Sequence, residues 1–283
     1  MVGPAVVVGG GTMGSGIAQC LVEIGVDVTV IESDDDRVAV ARDNVAAGLR
    51  RRHRKAPHPE ASVAADLAHL TVRAGLPLAS VGDVSLVVEA LPEDAQLKRG
   101  MLESIERVFP DALVATNTSS LSIDGLAAAL DRPERFVGMH FFNPVPLSQL
   151  VEVVIGSATS PSSVEAARQW VDALGKERIE VRDAPGFATS RLGVAIGLEA
   201  IRMLEDEVAS AEDIDRAMVL GYRHPMGPLK LTDLVGLDVR LAIAEYLAET
   251  LGDRFRPPDL LRAKVAAGEL GKKTGRGFYP WDS

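Results

Sequence analysis

Six residues near the start, Gly9-Gly10-Gly11-Thr12-Met13-Gly14, carry the spacing G-x-G-x-x-G. They follow the apolar run Ala5-Val6-Val7-Val8 and open a helix-like stretch. In that pattern Gly9 permits a tight turn, Gly11 lets the backbone approach a pyrophosphate, and Gly14 allows a helix to pack closely on a strand. A diphosphate would sit on the helix N-terminus, over the loop residues Thr12 and Met13, where free N–H groups and the macrodipole favour an anion. A purely structural turn could carry the same glycines, but a strand before and a helix after are the context a dinucleotide site requires. Glu32 stands at the end of the next apolar run, near the expected spacing of about 20 residues, and its carboxylate would accept both adenosine ribose hydroxyls. After it come Ser33, Asp34, Asp35 and Asp36, with no base to receive a 2′-phosphate, so NAD is expected rather than NADP. A solvated carboxylate at a strand end is the alternative for Glu32.

Two further features invite chemistry. Arg50-Arg51-Arg52-His53-Arg54-Lys55 is a basic run in an acidic chain. It suits either a solvated helix C-terminus, where cations complement the dipole, or a clamp for phosphate groups. His140, beside Phe141 and Phe142, is on spacing alone a hydrogen-bonded core histidine. No Cys/His cluster has zinc spacing, so no metal is expected, and no serine elbow or Walker lysine appears.

The elements that must position these groups follow from patterning. The chain has 283 residues, 47% hydrophobic and 25% charged, which suggests about two domains and excludes disorder and disulfide scaffolds. One cysteine, Cys20, allows no intrachain disulfide and suits a reducing compartment, the cytoplasm. The net charge of -10 and a pI near 5.1 argue against a nucleic-acid partner. No apolar run is long enough for a membrane span, and Met1 to Gly11 lacks the features of a signal peptide.

The first half alternates short β-rich runs (Ala5–Val8, Val28–Ile31, Val84–Glu89, Leu113–Ala115, Phe136–Met139, Leu150–Val154) with helical stretches. These stretches are Met13–Ile24, Asp34 to about Arg54, broken by Ala56–Pro59, and Gln96–Phe109. Ser160-Pro161 starts a further helix that Gly175 ends, and Arg178–Val181 reads as the last strand. Such alternation predicts a doubly wound, mostly parallel α/β sheet of Rossmann type over residues 1–183. After the turn Asp183-Ala184-Pro185-Gly186 nearly everything reads as helix (Thr189–Asp206, Ala211–Val219, Leu237–Leu251, Pro258–Gly268). An all-helical domain is therefore expected over 184–283.

Asn117-Thr118-Ser119-Ser120-Leu121 and Gly138-Met139-His140-Phe141-Phe142-Asn143-Pro144 bring a resemblance into view. So do Leu150-Val151-Glu152-Val153, His224-Pro225-Met226-Gly227-Pro228 and Lys273-Thr274-Gly275-Arg276-Gly277-Phe278-Tyr279. The sequence resembles the 3-hydroxyacyl-CoA dehydrogenase family end to end, most of all its bacterial 3-hydroxybutyryl-CoA members. The resemblance implies a Rossmann domain followed by a helical domain for substrate binding and dimerisation. It also implies reversible oxidation of the 3-hydroxyl of a short-chain acyl-CoA with NAD, in fatty-acid or butanoate metabolism, by a soluble homodimer.

By the same resemblance His140 is the general base and acid, with Glu152 orienting its ring. Ser119 hydrogen-bonds the reacting oxygen. Asn117, Asn143, Glu93, Lys98 and Lys273 contact NAD, and Lys55 contacts CoA, with Arg51 and Arg54 beside it. Gly48 stands where a CoA-contacting serine is usual. Glu93 and Lys98 could equally form an ordinary charged helix face with Arg99 and Glu103, and Ser122 is a better helix N-cap than Ser119.

One departure stands out. The family segment G-F-x-x-N-R is Gly186-Phe187-Ala188-Thr189-Ser190-Arg191 here. Ser190 offers one hydroxyl where the family has an amide that meets the substrate oxygen. Retained activity is expected, through a water or on a different acyl group. The alternatives are an L-gulonate 3-dehydrogenase-like enzyme, a 3-hydroxyadipyl-CoA dehydrogenase, or a non-catalytic, crystallin-like dimer that binds NAD.

Overall fold

A computed structural model describes residues 2–76 and 83–281. Met1, which begins the apolar start, lies outside them. The chain divides into two compact units, Met1–Asp183 and Ala184–Ser283.

Among the described residues the first unit is built on eight strands: β1 (Ala5–Val8), β2 (Val28–Glu32), β3 (Leu70–Ala74), β4 (Leu86–Glu89), β5 (Leu113–Thr116), β6 (Phe136–Phe141), β7 (Leu150–Ile155) and β8 (Glu177–Arg182). Their order in the sheet is β3-β2-β1-β4-β5-β6-β7-β8. All pairs are parallel except β6 with β7. The central strands β1, β4, β5 and β6 are buried along their whole length, as strands covered on both faces must be. The helices are α1 (Thr12–Glu23), α2 (Asp35–His53), α3 (Pro59–Leu67), α4 (Ala95–Val108), α5 (Ile123–Ala127) and α6 (Pro161–Ala173). A single core joins Val7, Val30, Val88, Met139 and Val153 of the strands to Leu21 of α1 and Trp170 of α6. Cys20 lies in this core, and burial pushes its thiol up to about 11.

The sheet matches the expected doubly wound arrangement, with two elements that the sequence reading missed. α3 begins at Pro59, in the segment taken as a breaker; Pro59 occupies the first turn, where a missing N–H is harmless. β3 pairs with β2 at the outer edge, and its Thr71 and Arg73 give it little apolar signature. The opposite edge strand, β8, has the sequence Glu177-Arg178-Ile179-Glu180-Val181-Arg182 and is largely exposed; alternating charge along an edge opposes pairing with another chain.

The second unit is helical: α7 (Thr189–Glu205), α8 (Ala211–Arg216), α9 (Pro228–Val235), α10 (Leu237–Leu251) and α11 (Asp259–Ala266). Leu198, Leu229, Leu237, Leu247 and Leu261 are among the residues of its own core. The helix expected over Ala211–Val219 is shorter; after Arg216 the backbone widens into a π-type turn, Ala217–Gly221. Ser210 caps α8 by accepting the Asp213 N–H (3.1 Å). The turn expected at His224–Pro228 is present, and Pro228 then opens α9.

Ser122 caps α5, accepting the Gly125 N–H (3.0 Å) while donating to Asp183 Oδ2 (2.7 Å). Asp183 Oδ2 also accepts the Asp124 N–H (2.9 Å). Replacing an N-cap serine by alanine typically costs about 1 kcal/mol. Ser122→Ala is expected to lower unfolding stability by that order in urea titrations, with the m-value unchanged.

Candidate active site

The glycine loop joins β1 to α1. Gly9 has φ +95°, and a Cβ on it would stand 2.9 Å from the Ala90 carbonyl oxygen. A Cβ on Gly14 would collide with the Gly9 carbonyl oxygen, so α1 can approach β1 only with glycine there. Gly11 differs, because a Cβ on it would meet nothing within 4 Å. It is the N-cap of α1 and gives that helix no side-chain cap, which leaves an open cradle at a helix N-terminus. Glu32 ends β2, and its Oε1 accepts the Gly10 N–H (2.7 Å). The carboxylate thereby ties the strand end to the loop. Asp34 is engaged as the N-cap of α2, accepting the Arg37 N–H (2.9 Å). That bond is the largest cause holding its carboxyl below the usual range, with a further hydrogen bond from Ser33. These residues fit a dinucleotide: an open loop, an uncapped helix end and an acid at the next strand end.

A second acid plays a comparable part at β4. Glu89 is fully buried at the end of that strand and accepts three hydrogen bonds. They come from the Leu91 N–H (2.6 Å), Lys98 Nζ (2.7 Å) and Thr116 Oγ1 (2.6 Å). Lys98 is itself 1% exposed and also donates to the Leu91 carbonyl (3.0 Å), so it is no part of a solvated helix face. Sequence reasoning did not single out Glu89. The available signal was an acid closing an otherwise apolar strand, as Glu32 closes β2.

Glu93 Oε1 accepts Thr118 Oγ1 (2.6 Å), the Ser119 and Ser120 N–H groups (both 3.0 Å) and Ser120 Oγ (2.9 Å). Lys98 Nζ lies 3.6 Å from its other oxygen. Burial pushes the carboxyl up, yet the Thr118 bond, the Lys98 charge and the serine donors together hold it below the ordinary value. Glu93 therefore organises the loop after β5 that carries Ser119. Asn117 is turned toward β6, where its Oδ1 accepts the Phe141 N–H (2.9 Å).

His140 and Glu152 sit opposite each other in the β6–β7 pair. Directly opposed residues of an antiparallel pair project to the same face. His140 Nδ1 and Glu152 Oε2 are 2.6 Å apart, with His140 6% exposed and Glu152 fully buried. The Phe142 ring packs on the imidazole with centroids 4.4 Å apart and planes at 50°. The pair has the geometry of an imidazole held in one tautomer and orientation by a buried carboxylate.

Between α1, the C-terminal half of α2 and the loop after β6 lies a cavity of about 830 Å³. Arg51, Arg52, Arg54 and Lys55 line it, facing Asn143 and Pro146. Gly48 lies on its wall, where a Cβ would run into the Gln19 amide. In the second unit, Ser190 falls in the first turn of α7. Lys273 pairs with Asp238 (2.6 Å).

Comparison with known proteins agrees over the whole length. Residues 4–184 match the 3-hydroxyacyl-CoA dehydrogenase NAD binding domain, and residues 186–281 match the C-terminal domain of the same family. The chain belongs to the 3-hydroxyacyl-CoA dehydrogenase family. It is 42% identical over 277 residues to a 3-hydroxybutyryl-CoA dehydrogenase of Bradyrhizobium diazoefficiens, covering 97% of this chain and 94% of that one. The mitochondrial hydroxyacyl-coenzyme A dehydrogenase of Sus scrofa is 38% identical, covering 97% and 90%. The crystal structure of (S)-3-hydroxybutyryl-CoA dehydrogenase from Ralstonia eutropha superposes with a TM-score of 0.92 at 39% identity, covering both chains fully. This 3-hydroxyacyl-CoA dehydrogenase is thus an NAD-dependent oxidoreductase whose first unit is the NAD-binding domain.

The Glu89–Lys98 pair gives a direct test of how the dinucleotide loop is held. Removing one member of a buried pair leaves an uncompensated charge and costs roughly 3–5 kcal/mol. Lys98→Met is expected to destabilise by that order in thermal or denaturant unfolding. Glu89→Gln in the same chain should recover part of the loss.

Proposed function

We propose that this dehydrogenase interconverts a short-chain 3-hydroxyacyl-CoA and its 3-oxoacyl-CoA, with His140 as the proton-transferring group. The observation that carries this reading is the 2.6 Å contact between His140 Nδ1 and the buried Glu152 carboxylate. Glu152 holds the Nδ1–H and so assigns the working role to Nε2, which removes the 3-hydroxyl proton during oxidation and returns it during reduction. NAD would supply the redox chemistry at this site, as acceptor of the C3 hydride when the 3-hydroxyl is oxidised and, as NADH, as hydride donor in the reverse direction. The Gly9–Gly14 loop with Thr12 and Met13, and the Glu32 carboxylate, would hold its adenosine diphosphate half. Asn117, Asn143, Glu93, Lys98 and Lys273 complete the cofactor contacts implied by the resemblance, Lys98 acting through Glu93 and Glu89 because it is buried.

Ser119 donates a hydrogen bond to the substrate's reacting oxygen, where charge accumulates in the transition state. Glu93 supports it by fixing the Ser119 backbone. By the resemblance Ser190 stands where the family's amide meets the substrate oxygen, and it offers a shorter reach than that amide. Arg51, Arg54 and Lys55 take the phosphates of CoA; several cations around one open cavity of about 830 Å³ support this over a merely solvated helix end. Leu192, Ile196, Leu231, Leu234, Val235 and Val239 are exposed on the helical unit. They support a homodimer formed through that unit. Cytoplasm is the compartment assigned, in keeping with one buried cysteine.

His140→Gln is expected to lower kcat for NADH oxidation with acetoacetyl-CoA by about 10²–10⁴, with KM for NADH changed only a few-fold. An unchanged kcat would end the assignment. Glu152→Gln should also lower kcat, since the imidazole loses its fixed tautomer. For the phosphate contacts, Arg51→Ala combined with Lys55→Ala should raise KM for acetoacetyl-CoA on the order of tenfold at low salt. KM for the acetoacetyl-pantetheine analogue should stay constant. Equal rises for both substrates would remove the clamp.

A further inference from the structure

The cavity beside α2 changes character along its lining. Arg51, Arg54 and Lys55 make one part cationic, while α1 contributes Ser15 and Gln19. Gln19 is 5% exposed, and the one hydrogen bond its amide makes among the described residues runs from Nε2 to Glu23 Oε1 (2.7 Å). A carboxylate only accepts, so that bond fixes which end of the amide faces Glu23. Oε1 is left at the cavity wall, in the space a side chain on Gly48 would fill; a Cβ there would run into it. Ser15, one turn earlier on α1, has its hydroxyl proton committed to the Gly10 carbonyl (2.6 Å).

From Ser15 to Gln19 this wall therefore presents acceptors and no side-chain donor. A phosphate, itself an acceptor, would meet like groups there. Glu23 adds a negative charge directly behind the amide, and its Oε2 lies 3.7 Å from Arg52 Nε, so that cation is already engaged. A buried carbonyl oxygen is costly without a donor, which makes Gln19 selective for a neutral N–H. Gly48 precedes Arg51 by three residues, so the Gln19 oxygen stands about one helical turn from the cations. Coenzyme A carries a neutral arm with two amide groups between its diphosphate and its thioester. With the phosphates on Arg51, Arg54 and Lys55, the first donor of suitable chemistry along the arm is the amide nearer the diphosphate.

We propose that Gln19 is a specificity-determining residue of the acyl-CoA site, its Oε1 accepting a hydrogen bond from that amide N–H. Glu23 is the positioning residue that keeps the oxygen turned to the ligand. The assignment rests on the acyl-CoA reading above and deepens it. Gln19 thus reads the carrier arm, while His140 handles the proton.

The test follows NADH oxidation with acetoacetyl-CoA, acetoacetyl-pantetheine and acetoacetyl-N-acetylcysteamine, the last keeping only the amide next to the sulfur. Gln19→Met has nearly the same shape and no acceptor oxygen. It is expected to raise KM for the first two substrates by the same factor, roughly three- to tenfold, and to leave KM for the third in place. The effect should fall on KM and not on kcat. Glu23→Met is read on acetoacetyl-pantetheine, where a released Arg52 has no phosphate to hold, and should reproduce part of the rise. Glu23→Gln keeps an acceptor for Nε2 and should restore the wild-type value. Circular dichroism and thermal unfolding check that the variants fold. A rise for acetoacetyl-CoA alone would move the contact to the adenine amine and overturn the proposal. No rise, or an equal rise for all three, overturns it as well, and each of these leaves the dehydrogenase reading standing. Turnover of no thioester by the wild type overturns both.

Discussion

The active-site geometry depends on one reversal of strand direction. Every other neighbouring pair in the eight-stranded sheet is parallel, and only β6 and β7 run against each other. Their register sets His140 opposite Glu152, so an imidazole and a carboxylate twelve residues apart share one face at 2.6 Å. A slip of one residue would send either side chain to the other face of the sheet. The flanking positions resist such a slip, because Met139, Phe141, Val151 and Val153 are all buried. Hydrophobic packing on the opposite face thus enforces the register that aligns the polar pair.

The dinucleotide half of the site is organised by acids at the ends of parallel strands. Glu32 closes β2 and ties back to Gly10, while Glu89 closes β4 and gathers Leu91, Lys98 and Thr116. Glu93 then draws Thr118, Ser119 and Ser120 together. The loops at the carboxyl ends of the strands are therefore tied down by charge-assisted hydrogen bonds. An open α/β sheet binds ligands at that edge, and the loops there are preorganised before any ligand arrives.

Much of the first unit was legible because its strands are continuous apolar runs punctuated by glycine. The glycine loop was legible from its spacing, and Gly9 and Gly14 answer to separate steric demands within the fold. Two helices escaped through a shared cause. Pro59 and Pro228 read as interruptions, yet each sits in the first turn of a helix, where proline is welcome. The edge strand β3 escaped because only Leu70 of its five residues is fully buried. The partnership of His140 with Glu152 came from family resemblance alone, since register cannot be derived from a spacing of twelve. Lys98 was matched to a cofactor contact only by resemblance, with a charged helix face as the alternative; its burial follows from Glu89, which lies on another element.

Cys20 lies on the buried face of α1 in the main core, with its thiol held in the unreactive form by burial. With no second cysteine in the chain, the native protein is a convenient background for site-directed labelling. A new cysteine at any exposed position can take a spin label or fluorophore while Cys20 stays unmodified. Distances between such probes can then be followed through turnover without first rebuilding the core.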